Sequence, residues 1–154
     1  MSASDTSGVR VPPPAYYLAG LLGGAALELA FPVDGPPIFV VLPVALAGGA
    51  LWLALDGAAM LHFRRAGTSM IPLNPSTALV TTGPYRFTRN PMYVGMAALY
   101  IALAVALGLI WALVLMPLVV FAVDRLVIAR EEAYLTRKFG QPYRDYSARV
   151  RRWL

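Results

Sequence analysis

Hydrophobic and polar positions in this chain fall into long blocks. Apolar runs cover Ala15 to Phe31, interrupted only by Glu28, then about Ile38 to His62, then a 37-residue stretch from Met92 to Ile128 that is apolar up to Asp124. At about 1.5 Å per residue, the first run just covers a hydrocarbon core of about 30 Å if its flanks contribute. The last stretch is long enough for two crossings, with Gly108 the point of reversal. The pattern therefore predicts four spans, at about 15–31, 38–62, 92–107 and 109–128, in one domain over 15–154. Residues 1–14, small, polar and rich in proline, predict a flexible tail. A cleaved signal peptide is the rival reading of the first run, but it has no basic region before it and no small-x-small site after it. The breakers of PVDGPP separate the first two spans, and an irregular polar stretch from Arg64 to Asn90 separates the second and third. The fold class expected is an all-α integral membrane protein with about four transmembrane helices and a cytoplasmic C-terminal helical segment.

Composition supports a membrane protein. Hydrophobic residues make up 58% of the 154 and charged ones 14%, with mean hydropathy +0.62, against roughly 45–50% and 25% in soluble domains. Too little chain lies outside the apolar runs for a second, soluble catalytic domain, so chemistry must use helix ends and short loops. Cysteine is absent, which removes disulfides, thiolate metal sites and cysteine nucleophiles.

Charge then orients the spans. With four of them, all 13 basic residues lie on one face, and Asp34 is the only charge expected in a loop on the other. The positive-inside rule makes the loaded face cytoplasmic, as in a bacterial inner membrane or its equivalent. This placement argues for the bilayer and against nucleic acid as partner. Arg149, Arg151 and Arg152, with Trp153 as an interfacial anchor, suit anionic lipid head groups. Asp56, His62, Asp124, Glu131 and Glu132 all map to the cytoplasmic end. Asp56 and Asp124 are expected to form salt bridges to Arg64, Arg65 or Arg125. His62, the one histidine, is expected to be an interfacial hydrogen-bonding residue, and Glu28 lies near the opposite face, apart from any site.

Two polar blocks stand against the last spans: GPYRFTRNPMYVG at 83–95 and REEAYLTRKFGQPYRDY at 130–146. In the first, Tyr85, Phe87 and Tyr93 offer aromatic faces, Arg86 and Arg89 cationic forks, and Pro91 a helix start. The N–H groups of that start suit a carboxylate or phosphate. In the second, Glu131 and Glu132 diverge by about 100° on a helix, so one can bind a ligand while the other pairs with an arginine. Nucleotide loops of the G-x-G-x-x-G and Walker types, H-E-x-x-H and G-x-S-x-G are all absent. An anion-binding helix end, aromatic faces and an acid able to accept from ribose hydroxyls together suit S-adenosylmethionine.

The blocks resemble those of integral-membrane methyltransferases of the isoprenylcysteine carboxyl methyltransferase type, which are related to phospholipid methyltransferases. Those carry G-x-Y-x-x-x-R-H-P-x-Y-x-G followed by E-E-x-x-L-x-x-x-F-G-x-x-Y-x-x-Y, and the likeness covers about 83–150. It implies a helical membrane fold that buries S-adenosylmethionine, released as S-adenosylhomocysteine, between the last spans and a C-terminal segment. A lipophilic or prenylated acceptor would enter sideways from the bilayer. Carried over by position, Tyr85, Arg89, Asn90, Pro91, Tyr93 and Gly95 line the cofactor site, Glu131 and Glu132 complete it, and Tyr143 and Tyr146 belong to the closing segment. Arg89, Glu131 and Glu132 are the expected catalytic residues. Asn90 stands where the carboxyl methyltransferases have His. Carboxyl methylation is the nearest activity, phospholipid N-methylation is the alternative, and a non-catalytic lipid-binding scaffold is the reading from another class.

Overall fold

The computed structural model describes residues 6–69 and 75–154. Six α-helices carry the fold: α1 (Pro13–Ala30), α2 (Ile38–Arg65), α3 (Pro91–Ala106), α4 (Ile110–Val123), α5 (Ala129–Phe139) and α6 (Gln141–Arg149), with no strand among the described residues. A 3₁₀ turn, Gly83–Arg86, precedes α3. A π turn, Asp124–Ile128, joins α4 to α5, so Ile110–Phe139 is a continuous rod of 30 residues.

Local sequence sets the ends of these helices. Pro13 and Pro91 open α1 and α3, where a residue without an N–H loses no helical bond. The reversal predicted at Gly108 is present: its φ of +67° is a backbone region that glycine enters without steric penalty. Gly108 N donates to Val105 O at 3.2 Å and Leu109 N to Ala104 O at 2.8 Å, closing the last turn of α3 as a Schellman motif.

The helices pack in two pairs, α2 along α3 and α1 along α4. A Cβ on Gly24 would lie 2.5 Å from Ala112 Cα, so α1 and α4 touch backbone to backbone. Tyr100 donates to Ala112 O at 2.7 Å, and Tyr17 donates to Tyr93 O at 3.0 Å, tying the two pairs together through buried hydroxyls. The loop carrying Asp34 and the Gly108 turn share one end of the bundle, since a Cβ on Gly35 would be 3.4 Å from Gly108 Cα.

The expectation of four full spans is met only in part. Four apolar helices form where spans were predicted, but only α2 and the rod Ile110–Phe139 are long and apolar enough to cross a membrane. At 16 residues, α3 rises only about 24 Å, and Pro13, Tyr16, Tyr17 and Glu28 dilute α1. None of the most apolar 18-residue window of α2 is buried within the protein, and Leu42, Leu46 and Leu53 point outward. Lipid solvates such a surface at no cost, whereas water does not. The rod turns polar after Ile128, and α5 extends beyond its apolar part.

The tail also differs from expectation. Residues 1–5 lie outside the described residues, but Val9 is 4% exposed within the core around Tyr17, and Arg130 Nη1 donates to Gly8 O at 3.2 Å. An apolar side chain with a cavity-side place to bury itself holds this stretch against the bundle. Of the polar stretch before α3, residues 70–74 lie outside the described residues.

Candidate active site

At the end of the bundle opposite Gly108, a cavity of about 600 Å³ opens between α2, α3, α5, α6 and the segment before α3. Ligand sites commonly fall at about 300–1,000 Å³. Its lining mixes polar and aromatic side chains, Tyr85, Arg89, Asn90, Tyr93, Glu131, Glu132, Tyr143 and Tyr146, with apolar ones, among them Trp52, Phe63, Leu79, Met92, Met96 and Leu135. Of the predicted cofactor residues, only Pro91 and Gly95 are missing from this lining. Pro91 is fully buried as the first residue of α3, and the space over Gly95 is filled by the carboxylate of Asp56.

The two glutamates take different partners, as adjacent helical positions require. Glu132 sits between two guanidinium groups, with Arg89 Nη2 2.7 Å from Oε1 and Arg152 Nη2 2.5 Å from Oε2. Glu131 forms no salt bridge among the described residues. Its Oε1 accepts from the Tyr93 hydroxyl at 2.7 Å. Burial pushes the Glu131 carboxyl up to about 7; the Tyr93 bond pulls it down and the neighbouring Glu132 charge pushes it further up. Burial likewise raises the Tyr143 hydroxyl to about 12 and raises that of Tyr85. Hydrogen bonding to Glu132 holds Arg152 above its ordinary range.

The C-terminal segment is bonded to the residues just before α3. Arg89 N donates to Arg151 O at 2.9 Å, Asn90 N to Thr88 Oγ1 at 3.1 Å, and Asn90 Nδ2 to Arg152 O at 2.9 Å. Arg89 Nη1 also donates to Ser147 O at 2.7 Å. The Tyr146 hydroxyl donates to Tyr85 O at 2.8 Å, fixing α6 on the 3₁₀ turn. Arg152 and Trp153 make internal contacts: Arg152 Nη1 lies 3.1 Å from Asp124 Oδ2 and Trp153 Nε1 3.0 Å from Asp124 Oδ1. Asp124 keeps its expected neighbour Arg125 at 3.8 Å as well. His62 donates from Nδ1 to Ala58 O at 2.8 Å, the hydrogen-bonding role expected of it.

Asp56 departs most from expectation. It makes no salt bridge among the described residues; instead it lines the cavity, with Oδ2 buried and without a hydrogen-bond partner.

The sequence profile of phospholipid methyltransferases matches residues 38–142, from the start of α2 into α6. The chain belongs to the phospholipid methyltransferase family. An uncharacterized protein of Haemophilus influenzae is 38% identical over 63 residues, which are all of that protein and 41% of this chain. No solved structure matches significantly. In this family member the matched region contains the lining residues of α2, α3 and α5, while Ser7, Pro12, Pro13 and Pro14 before it and Tyr143 and Tyr146 after it lie outside the match.

Sequence reasoning missed Trp52 and Phe63 and gave Asp56 the wrong partner. Their spacing carried a signal: positions 52, 56 and 63 are four and seven apart, which places all three on one face of α2.

Proposed function

We propose that this protein transfers a methyl group from S-adenosylmethionine to a lipophilic acceptor that enters from the membrane, with the site on the cytoplasmic side. The observation that supports this most directly is the mixed lining of the cavity: carboxylates and tyrosines share it with apolar side chains, including Trp52 and Phe63 from α2, a helix whose other apolar side chains face outward. The residues present fit the cofactor's chemistry. Of the two adjacent glutamates, Glu131 is the one without an arginine among the described residues, suited to an ammonium group or a ribose diol, and the faces of Tyr85, Tyr93 and Tyr143 suit a sulfonium and an aromatic base. When bound, the cofactor supplies an electrophilic methyl group. Glu132, Arg89 and Asn90 act by holding α6 and the C-terminal segment over the cavity, and Arg89 and Asn90 also present surface to it. Trp52, Phe63, Leu79 and Met96 shape the apolar part of the lining and exclude water.

Methyl transfer to a nucleophile is an in-line displacement, so holding the partners in register supplies most of what the protein must contribute, an effect of up to about 7–11 kcal/mol. The family match supports methyl transfer at a membrane. Calorimetric titration of the purified protein with S-adenosylhomocysteine tests the reading. Saturable binding is expected, and no response in detergent or in lipid would overturn it. Lipid extracts incubated with methyl-labelled cofactor should then yield a labelled lipophilic product.

A further inference from the structure

We infer that Asp56 receives the head of the acceptor, and that it selects heads bearing an N–H or O–H bond over carboxylates. This rests on the methyl-transfer reading for its chemical purpose but on its own observations for the site. Asp56 lies nine residues before the end of α2, about 13 Å into the helix from that end. An acid at such depth is expensive and is ordinarily paired or functional. Among the described residues it has no cation: Arg89 and Arg152 are taken up by Glu132 and Asp124, and Asp56 Oδ2 is buried with no partner.

The surroundings keep that oxygen in place. A Cβ at Gly95 would collide with Oδ2, so the glycine leaves the room that the carboxylate occupies against α3. Trp52 and Phe63, on the same face of α2, and Met96 make the apolar lining beside it. With Oδ2 shut against α3, the rest of the carboxylate lines the cavity, and a carboxylate without a partner calls for a donor. An amine or hydroxyl head supplies one, whereas a carboxylate would add an anion to a cavity already walled by Asp56 and Glu131. Asp56 also answers a chemical need of an amine. A protonated amine has no free electron pair; when one N–H bond breaks, its electrons stay on nitrogen as the nucleophilic pair, and the proton passes to the Asp56 carboxylate and from there to solvent.

The test uses the full chain in phosphatidylcholine nanodiscs, titrated with decylamine, decanol and decanoate and corrected for empty nanodiscs, in the wild type, Asp56→Asn and Asp56→Glu. Wild type should bind decylamine or decanol at least about tenfold more tightly than decanoate, Asp56→Asn should lose about tenfold or more for the favoured head, and Asp56→Glu should retain the preference. The amine and alcohol arms separate N–H from O–H heads. S-adenosylhomocysteine titrated into the same samples should bind wild type and Asp56→Asn alike, which also shows the variant is folded. Equal binding of the favoured head by wild type and Asp56→Asn, or decanoate bound as tightly as the other two, would overturn the assignment. Loss of S-adenosylhomocysteine binding in Asp56→Asn with head-group binding intact would overturn it too, by placing Asp56 at the cofactor. If wild type ignores S-adenosylhomocysteine but keeps the Asp56-dependent preference, methyl transfer fails and the acceptor site stands.

Discussion

Arg152 and Glu132 meet in a two-pronged contact, Nη2 to Oε2 at 2.5 Å and Nε to Oε1 at 3.2 Å. The planar fork of a guanidinium matches a carboxylate in this way. The contact fastens the last residues of the chain to the helix that carries both cavity glutamates, and Arg89 completes it from α3. The lid over the site and the site itself therefore share one ionic network.

Removing the shared acid should loosen that network at once. Glu132→Gln keeps the size but leaves two guanidinium groups underpaired, with an expected loss of about 1.5–3 kcal/mol. Arg152→Ala should cost less, since its side chain is 35% exposed and screened. Thermal unfolding in detergent measures both. An unchanged midpoint for Glu132→Gln would show that the network adds no stability.

Glu131 should make stability depend on pH. Its carboxyl is raised from 4.5 to about 7, chiefly by burial, so over that window the folded protein keeps a proton that the unfolded chain releases. Stability then falls as pH rises from 4.5 to about 7 and levels off above. Glu131→Gln cannot titrate but can still accept from Tyr93. The difference in unfolding midpoint between wild type and this variant, followed across that range, should therefore change with pH, and a constant difference counts against the raised carboxyl.

Gly95 and Asp56 should be energetically coupled. Gly95→Ala drives a methyl group into the Asp56 carboxylate, at an expected cost of about 1–3 kcal/mol. Asp56→Ala vacates that space, so the double variant should be more stable than the sum of the single effects by about 0.5–3 kcal/mol. Additive losses would mean that the two residues do not share the space.

Sidedness follows from the two ends of the bundle. A cysteine at Asp34 and one at Ser147 should label from opposite sides of sealed vesicles, with Ser147 on the cytoplasmic side; the absence of native cysteine keeps the background clean. Labelling of both positions from one side contradicts the topology.

The sequence by itself determined the helices, their breaks and the membership of the polar lining. Pro13, Pro91 and Gly108 act through their own backbones, and apolar runs demand burial or lipid wherever they end up, so these features need no knowledge of the neighbours. The divergence of Glu131 and Glu132 is likewise a local property of one helix. Partnership was decided only by the tertiary structure. Arg152 is as basic in sequence as Arg149, yet hydrogen bonds from Arg89 N, Thr88 Oγ1 and Asn90 Nδ2 to the carbonyls of Arg151 and Arg152 draw its segment inward and deliver its guanidinium to Glu132 and Asp124. Asp56 lost its expected partners because those arginines stand elsewhere, while α3 came close enough at Gly95 to enclose its carboxylate. Charge says that a partner is wanted; only the packing of distant segments says which group arrives.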